Sequence, residues 1–132
     1  MMNSPALVAL GEERFVSLTT YRKTGEAVST PVWIARNGDA LVVTTPEASG
    51  KVKRLPNSPC VVLRPCDRMG RVKESAQPIS ARAEIVTGQG VINDLQVIFR
   101  TKYRLEYRIF MLIERLGKQG AKERVMLRIT SA

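Results

Sequence analysis

The chain has 132 residues, 44% of them hydrophobic, and a formal net charge of +9 from 21 Lys and Arg against 12 Asp and Glu. That length suits one domain (residues 1–132) with a real core, and the composition is that of a globular rather than a disordered protein. With no histidine in the chain, Ser-His-Asp and Cys-His catalysis have no imidazole, so any chemistry falls to a cofactor, a lysine, a tyrosine or a carboxylate.

The opening residues carry neither a basic leader with a long apolar stretch nor an A-x-A-like cleavage site. No apolar run reaches the roughly 20 residues of a membrane span. A soluble cytoplasmic protein with no membrane association is therefore expected. "RFVSLTTY" alternates, with Phe15, Ser17 and Thr19 on one face and Val16, Leu18 and Thr20 on the other, and predicts a strand. After the turn residues of "RKTGE", "AVSTPVWIAR" predicts a second strand. Pro31 has no amide hydrogen to give a neighbour, which places it at an edge or an irregularity. Asn37-Gly38 is a hairpin signal leading into "ALVVTT".

"SPCVVLRP" then reads as a strand between prolines, and "MGRV" and "SARAEIVT" as two more around the loop "KESAQP". Cys60 and Cys66 are too far apart for a CxxC pair and have no histidine to complete a zinc site, so no metal is expected. Free cysteine is usually buried, so Cys60 is expected in the core. In the last third the period changes. "VINDLQVIFR" predicts a short helix. "LEYRIFMLIERLG" predicts a second, with Leu105, Ile109, Leu112 and Leu116 on one stripe, Phe110 and Ile113 widening it, and Gly117 as its stop. The aromatics of these helices fit core packing, although Lys102 and Tyr103, at the opening of the second helix, also allow a substrate-side role. "ERVMLRIT" alternates again, with Val125, Leu127 and Ile129 facing one way, and closes the sheet. Short antiparallel strands in this succession suit a barrel or a sandwich.

The basic charge is uneven. Between Lys51 and Arg82 eight basic residues stand against Asp67 and Glu74, a bias that predicts an anionic partner. The stretch "TTPEASGKVKRL" gives it a focus. Ser49 is placed to cap a short helix, Gly50 lets backbone approach a ligand, and Lys51, Lys53 and Arg54 follow within one turn. These residues can cradle a phosphate, or form a basic surface turn. The stretch is not a Walker A loop, which needs G-x-x-x-x-G-K-[ST].

Taken in order, L-T-T-x-R-x-x-G from Leu18, T-P-V-W from Thr30, S-G-K-x-K-R-L from Ser49 and N-x-P-x-V from Asn57 resemble the pyridoxamine 5′-phosphate oxidase-like split β-barrel superfamily. Within it the chain is most similar to the PPOX-class deazaflavin-dependent oxidoreductases, which use coenzyme F420. The resemblance covers nearly the whole chain. It implies a mainly β split barrel of about six to seven antiparallel strands with two or three peripheral helices. It also implies a homodimer with the cofactor at the subunit interface and a small-molecule substrate. By this likeness the strand through Thr30, Pro31, Val32 and Trp33 runs along the cofactor ring. Thr44, Thr45, Ser49, Gly50 and Lys51 hold the ribityl chain and phosphate, with Lys53 and Arg54 beside them. Many members that bind FMN carry arginine where this chain has Gly50. That departure removes one phosphate ligand and weakens an FMN assignment, a loss that Lys53 and Arg54 can offset; the deazaflavin's glutamate tail suits the positive charge, and FMN is the alternative. No catalytic residue is nominated.

Trp33, the lone tryptophan, fits either core or interface packing or a wall of the cofactor pocket. Two rival functions remain open on the residues. One is non-catalytic binding of flavin, deazaflavin or haem, the last without a histidine ligand. The other is single-stranded nucleic-acid binding, for which seven aromatics in the whole chain offer thin stacking capacity, so no nucleic-acid partner is expected.

Overall fold

The computed structural model describes residues 5–46, 49–116 and 124–132, and among them the elements follow the alternation of the sequence. A short helix α1 (Pro5–Ala9) and a 3-10 turn (Leu10–Glu12) precede three strands, β1 (Phe15–Tyr21), β2 (Ala27–Asn37) and β3 (Ala40–Pro46). The short helix α2 (Gly50–Arg54) leads to β4 (Cys60–Cys66) and β5 (Ile79–Val86); the long α3 (Gln89–Leu116) and β6 (Arg124–Ser131) follow. All strand pairs are antiparallel, and the order β1-β2-β3-β6-β5-β4 closes into a six-stranded barrel. The mainly β barrel with peripheral helices expected from the sequence is the architecture observed.

Period-two alternation fills the interior. Val16 and Leu18 of β1, Val32 and Ile34 of β2, Leu41 and Val43 of β3, Leu63 of β4 and Leu127 and Ile129 of β6 form one buried cluster. Burying each such side chain contributes roughly 1.5–3 kcal/mol. A second cluster lies outside the wall, where Ile92, Leu95, Phe99 and Tyr103 of α3 cover Ala35, Val42 and Met126. Both faces of β2, β3 and β6 are therefore apolar where α3 crosses them. The β2–β3 hairpin turns through Gly38 and Asp39, with Asn37 paired to Ala40 and Gly38 at φ 63°. Its left-handed residue is thus the glycine of the Asn37-Gly38 signal. Among the described residues no helix is long and apolar enough to cross a membrane.

Three expectations are corrected. Cys60 is exposed, because the alternation that turns Val61 and Leu63 inward turns Cys60 out. "MGRV" forms only an isolated bridge, Cys66 to Val72, because Asp67 Oδ1 accepts the amides of Met69 and Arg71 and winds the segment into a turn. The apolar stripe of the last helix does not face a core at Ile109 and Leu112, which are exposed; its other members' side chains and Gly117 lie outside the described residues.

The two predicted helices are both present within α3, separated by a break at Arg104, whose φ of 49° is non-helical. Lys102 and Tyr103 therefore end the first helix rather than open the second. Their polar atoms are committed to the barrel. Lys102 Nζ donates to the carbonyls of Gly11 (2.7 Å), Ile34 (2.6 Å) and Glu13, and burial lowers its pKa from the ordinary lysine value. Tyr103 Oη accepts from the Ile34 amide at 3.1 Å and shares its proton with the Ile34 and Arg14 carbonyls, each at 2.7 Å. The phenol adds a rung to the β1–β2 ladder just beyond the Phe15–Trp33 pair.

Burial pushes the Tyr103 hydroxyl up to about 12, against smaller opposing effects of the Ile34 hydrogen bond and the Arg14 charge. The folded state thus holds the phenol neutral where an unfolded tyrosine, near pH 10, ionises. Its contribution is complete below about pH 10 and is lost as pH rises toward about 12. Tyr103→Phe leaves the Ile34 amide buried without its acceptor and should cost about 1–3 kcal/mol in urea unfolding at neutral pH. It should also remove part of the wild-type stability loss above about pH 10. An unchanged urea midpoint would contradict this rung.

Candidate functional site

The barrel wall is incomplete along the seam between β2 and β3. β2 pairs with β3 only from Ile34 to Asn37, against Val43 to Ala40. From Ala27 to Trp33 it pairs with β1 alone, and Thr44–Pro46 of β3 pair with β6 alone. The two strands therefore part beyond Ile34 and Val43. Antiparallel alternation decides what faces the gap. Because Ile34 gives its amide and carbonyl to Tyr103 on the β1 side, the main-chain groups of Trp33 turn the opposite way, toward the seam. Pro31 sits on the same edge, where its missing N–H deprives no ladder partner.

The same alternation divides the predicted ring-side residues. Val32 is buried in the barrel interior, and Thr30, two positions away, shares its face. Pro31 and Trp33 lie on the outer face. Trp33 is half-buried and stacks on Tyr103, with ring centroids 4.9 Å apart and planes 15° from parallel. Its packing role is thus realised, and its main chain, rather than its ring, borders the seam. Thr44 and Thr45 are both buried, Thr45 on the interior face in register with Val125 and Thr44 on the outer face with Met126.

At the open end of the seam the interior turns polar. Thr20 and Thr45 are buried, and Thr30 Oγ1 is a buried hydroxyl oxygen with no hydrogen-bond partner. Ser49 and α2 stand at this end. Ser49 caps α2 as the sequence predicts, its Oγ accepting the Val52 amide at 3.5 Å and standing 3.2 Å from the donating Thr45 hydroxyl. Arg54 Nε donates to Thr20 Oγ1 at 2.7 Å and ties the helix to β1.

The basic residues of α2 are not equivalent. At about 100° per residue, Arg54 returns to within about 60° of Lys51 around the helix, whereas Lys53 lies about 200° away. Lys51 and Arg54 are half-buried and Lys53 is exposed. The structure thus groups Ser49, Gly50, Lys51 and Arg54 at the end of the seam with Thr45 and sets Lys53 apart. Gly50 has a use that its sequence context does not reveal. A β-carbon there would stand 2.6 Å from Arg54 Nη1, so the guanidinium fills the space a side chain would take. Thr20 was not among the candidate residues. The available signal was a hydroxyl at an interior position of an otherwise apolar alternation, Val16, Leu18, Thr20.

This end can hold an oxyanion: it offers a guanidinium, a half-buried lysine and several hydroxyls, and β2 supplies a main-chain edge a few residues away. An unpaired buried hydroxyl costs about 1–3 kcal/mol, an expense native structures seldom carry without a ligand or water. Thr30→Val should therefore leave the protein no less stable than wild type or more stable by about 1 kcal/mol. A fall in the thermal midpoint would show that the hydroxyl has a partner in the protein.

No protein-family model matches the chain, and no curated protein matches it in sequence. Solved structures do match. A candidate pyridoxamine 5′-phosphate oxidase of Listeria innocua superposes with a TM-score of 0.62 at 11% identity, covering 95% of this chain and 89% of that one. An F420 reductase superposes with a TM-score of 0.59 at 15% identity, covering 98% and 95%. The haem storage protein HutZ of Vibrio cholerae superposes with a TM-score of 0.63 at 16% identity, covering 100% and 92%. At these identities the likeness is one of fold, and the fold of this chain is the pyridoxamine 5′-phosphate oxidase-like split β-barrel.

Proposed function

We propose that this protein is an F420-dependent oxidoreductase that acts as a homodimer on a small, electron-poor organic acceptor. The observation that carries the reading is the Thr20–Arg54 pair, 2.7 Å long, at the open end of the β2–β3 seam, beside the buried and unpaired Thr30 hydroxyl. The cofactor's phosphate fits Arg54, Lys51 and the Ser49 and Thr45 hydroxyls. The edge of its ring fits the main-chain groups of Trp33 and Pro31, and Thr30 offers a hydrogen bond to the polar chain between. FMN presents the same phosphate and is the alternative cofactor.

When bound, the reduced deazaflavin would supply the hydride, which accounts for catalysis by a chain without histidine. The protein's share is to bind, orient and exclude water. Val32 and the interior cluster make the wall behind the seam apolar, which strengthens each polar contact made there. Tyr103 is spent on the main chain and is no proton donor, so a proton required by the acceptor comes from solvent. A second copy would cover the outer side of the seam. Ile109 and Leu112, exposed on the last turns of α3, give apolar surface for such an association. Binding without turnover is a second reading, supported by the shared fold of HutZ.

Mixing the protein with F420 or FMN and reading absorbance after gel filtration tests the assignment. One chromophore should be retained per chain, in a species of twice the chain mass. Lys51→Ala should weaken that binding by about tenfold or more, as expected for a lost charge-assisted contact, while the thermal midpoint stays near wild type. Retention of neither cofactor, or an equal affinity in the Lys51 variant, would count against the site. Turnover of reduced F420 with a panel of acceptors separates the enzyme from the carrier.

A further inference from the structure

We infer that Thr20 is a positioning residue, whose hydroxyl fixes the Arg54 guanidinium across the bare face of Gly50 so that its two terminal nitrogens grip a phosphate-type oxyanion. This rests on the proposed reading of the open barrel end as the cofactor's phosphate site. It assigns that site a guanidinium delivered from position 54, supported from inside the barrel by β1.

The geometry is specific. A guanidinium is a planar fork of five N–H donors, and the edge carrying both Nη groups matches two oxygens of a phosphate. Here Nε is taken by Thr20 Oγ1 at 2.7 Å, which fixes the plane and leaves the Nη edge for an anion. Thr20 is itself fully buried on the interior face of β1, a rigid element, so the anchor does not move with the loop. Position 50 must be bare for this placement. A β-carbon built there lies 2.6 Å from Nη1, 3.3 Å from Cζ and 3.4 Å from Nη2 of Arg54. Gly50 has no positive φ that would otherwise require glycine. The absent side chain serves the guanidinium, not a turn.

A second, independent observation marks the same place. Thr30 lies opposite Leu18 and Thr20 opposite Val28, which sets the two threonines diagonally on one interior face. The Thr30 hydroxyl there is buried and unpaired. A cation held by one threonine and an unpaired hydroxyl on the neighbouring strand are complementary to an anionic ligand carrying further polar groups.

Because arginine is flexible, a methyl at position 50 displaces the guanidinium without disturbing the backbone. Gly50→Ala should therefore keep its fold and thermal midpoint, yet bind FMN and F420 about tenfold or more weakly. Thr20→Val should do the same and Thr20→Ser should restore binding. Riboflavin, which lacks the phosphate, separates positioning from general damage: its affinity should be equal in all four proteins. Equal losses for riboflavin and FMN, or variants that bind both cofactors like wild type, would overturn the inference and leave the cofactor assignment standing. Titration with inorganic phosphate distinguishes the opposite case. If wild type binds phosphate, and Gly50→Ala does not, while neither cofactor is retained, the grip is upheld and the proposed function falls. If wild type binds none of these probes, both fall. Should Thr20→Val fail to fold, Gly50→Ala decides alone.

Discussion

Each strand of a sheet carries main-chain donors and acceptors along two edges, and β3 meets β2 over only four residues, Ile34–Asn37. The remainder of that edge of β2 must be satisfied in another way or be left for a ligand. Much of the molecule answers to this constraint. Proline is placed where no amide is called for. Tyr103 and Lys102 brace the opposite edge at Ile34, so the strand stays in register past the point where β3 leaves it. At the open end Arg54 of α2 is tied to Thr20, and Ser49 to Thr45. Extending the β2–β3 ladder past Ile34 would close the seam that β2 borders from Ala27 to Trp33.

The strands were legible because their chemistry is local. Alternation in β1 and β6 separated the two faces of each strand, one of which lines the interior, and the hairpin signal at Gly38 set the β2–β3 register. Failures occurred where a residue's environment depends on parity or on a distant element. Cys60 has a composition suited to the core, but its neighbours Val61 and Leu63 hold the inward positions of that strand. Tyr103 reads by sequence as opening the second helix, and only the break at Arg104 and the position of Ile34 put it at the end of the first. No periodicity along one segment reports a partner 69 residues away.

The site was legible in the same uneven way. The Ser49 cap follows from the residues next to it and is present. What the sequence could not express is grouping. Three cations in four positions look equivalent as text, yet the helical turn sets Arg54 near Lys51 and sends Lys53 to the other side. Gly50 reads as room for an incoming ligand, whereas its space is filled by the protein's own guanidinium. Thr20 reads as a strand residue because its partner lies 34 positions downstream.

The distribution of polar groups also bears on what chemistry this end of the barrel can support. Its side chains are hydroxyls, a lysine and an arginine, and the Arg54–Thr20 and Thr45–Ser49 hydrogen bonds are each anchored at one end on a strand. Such a set is suited to holding charge in place and poorly suited to moving protons, since no imidazole is available and the nearby phenol is held neutral by burial, with its pKa raised to about 12. Rigid donors aimed at a fixed point need little reorganisation when an anion arrives, which favours tight retention of a ligand whose own reactivity does the work. On the proposed reading, the lack of an acid–base pair among the described residues of this end follows from a reaction left to the cofactor. On the same reading, selectivity comes from the shape of the seam and from what lies across it, since a basic end of this kind would hold any phosphate ester alike.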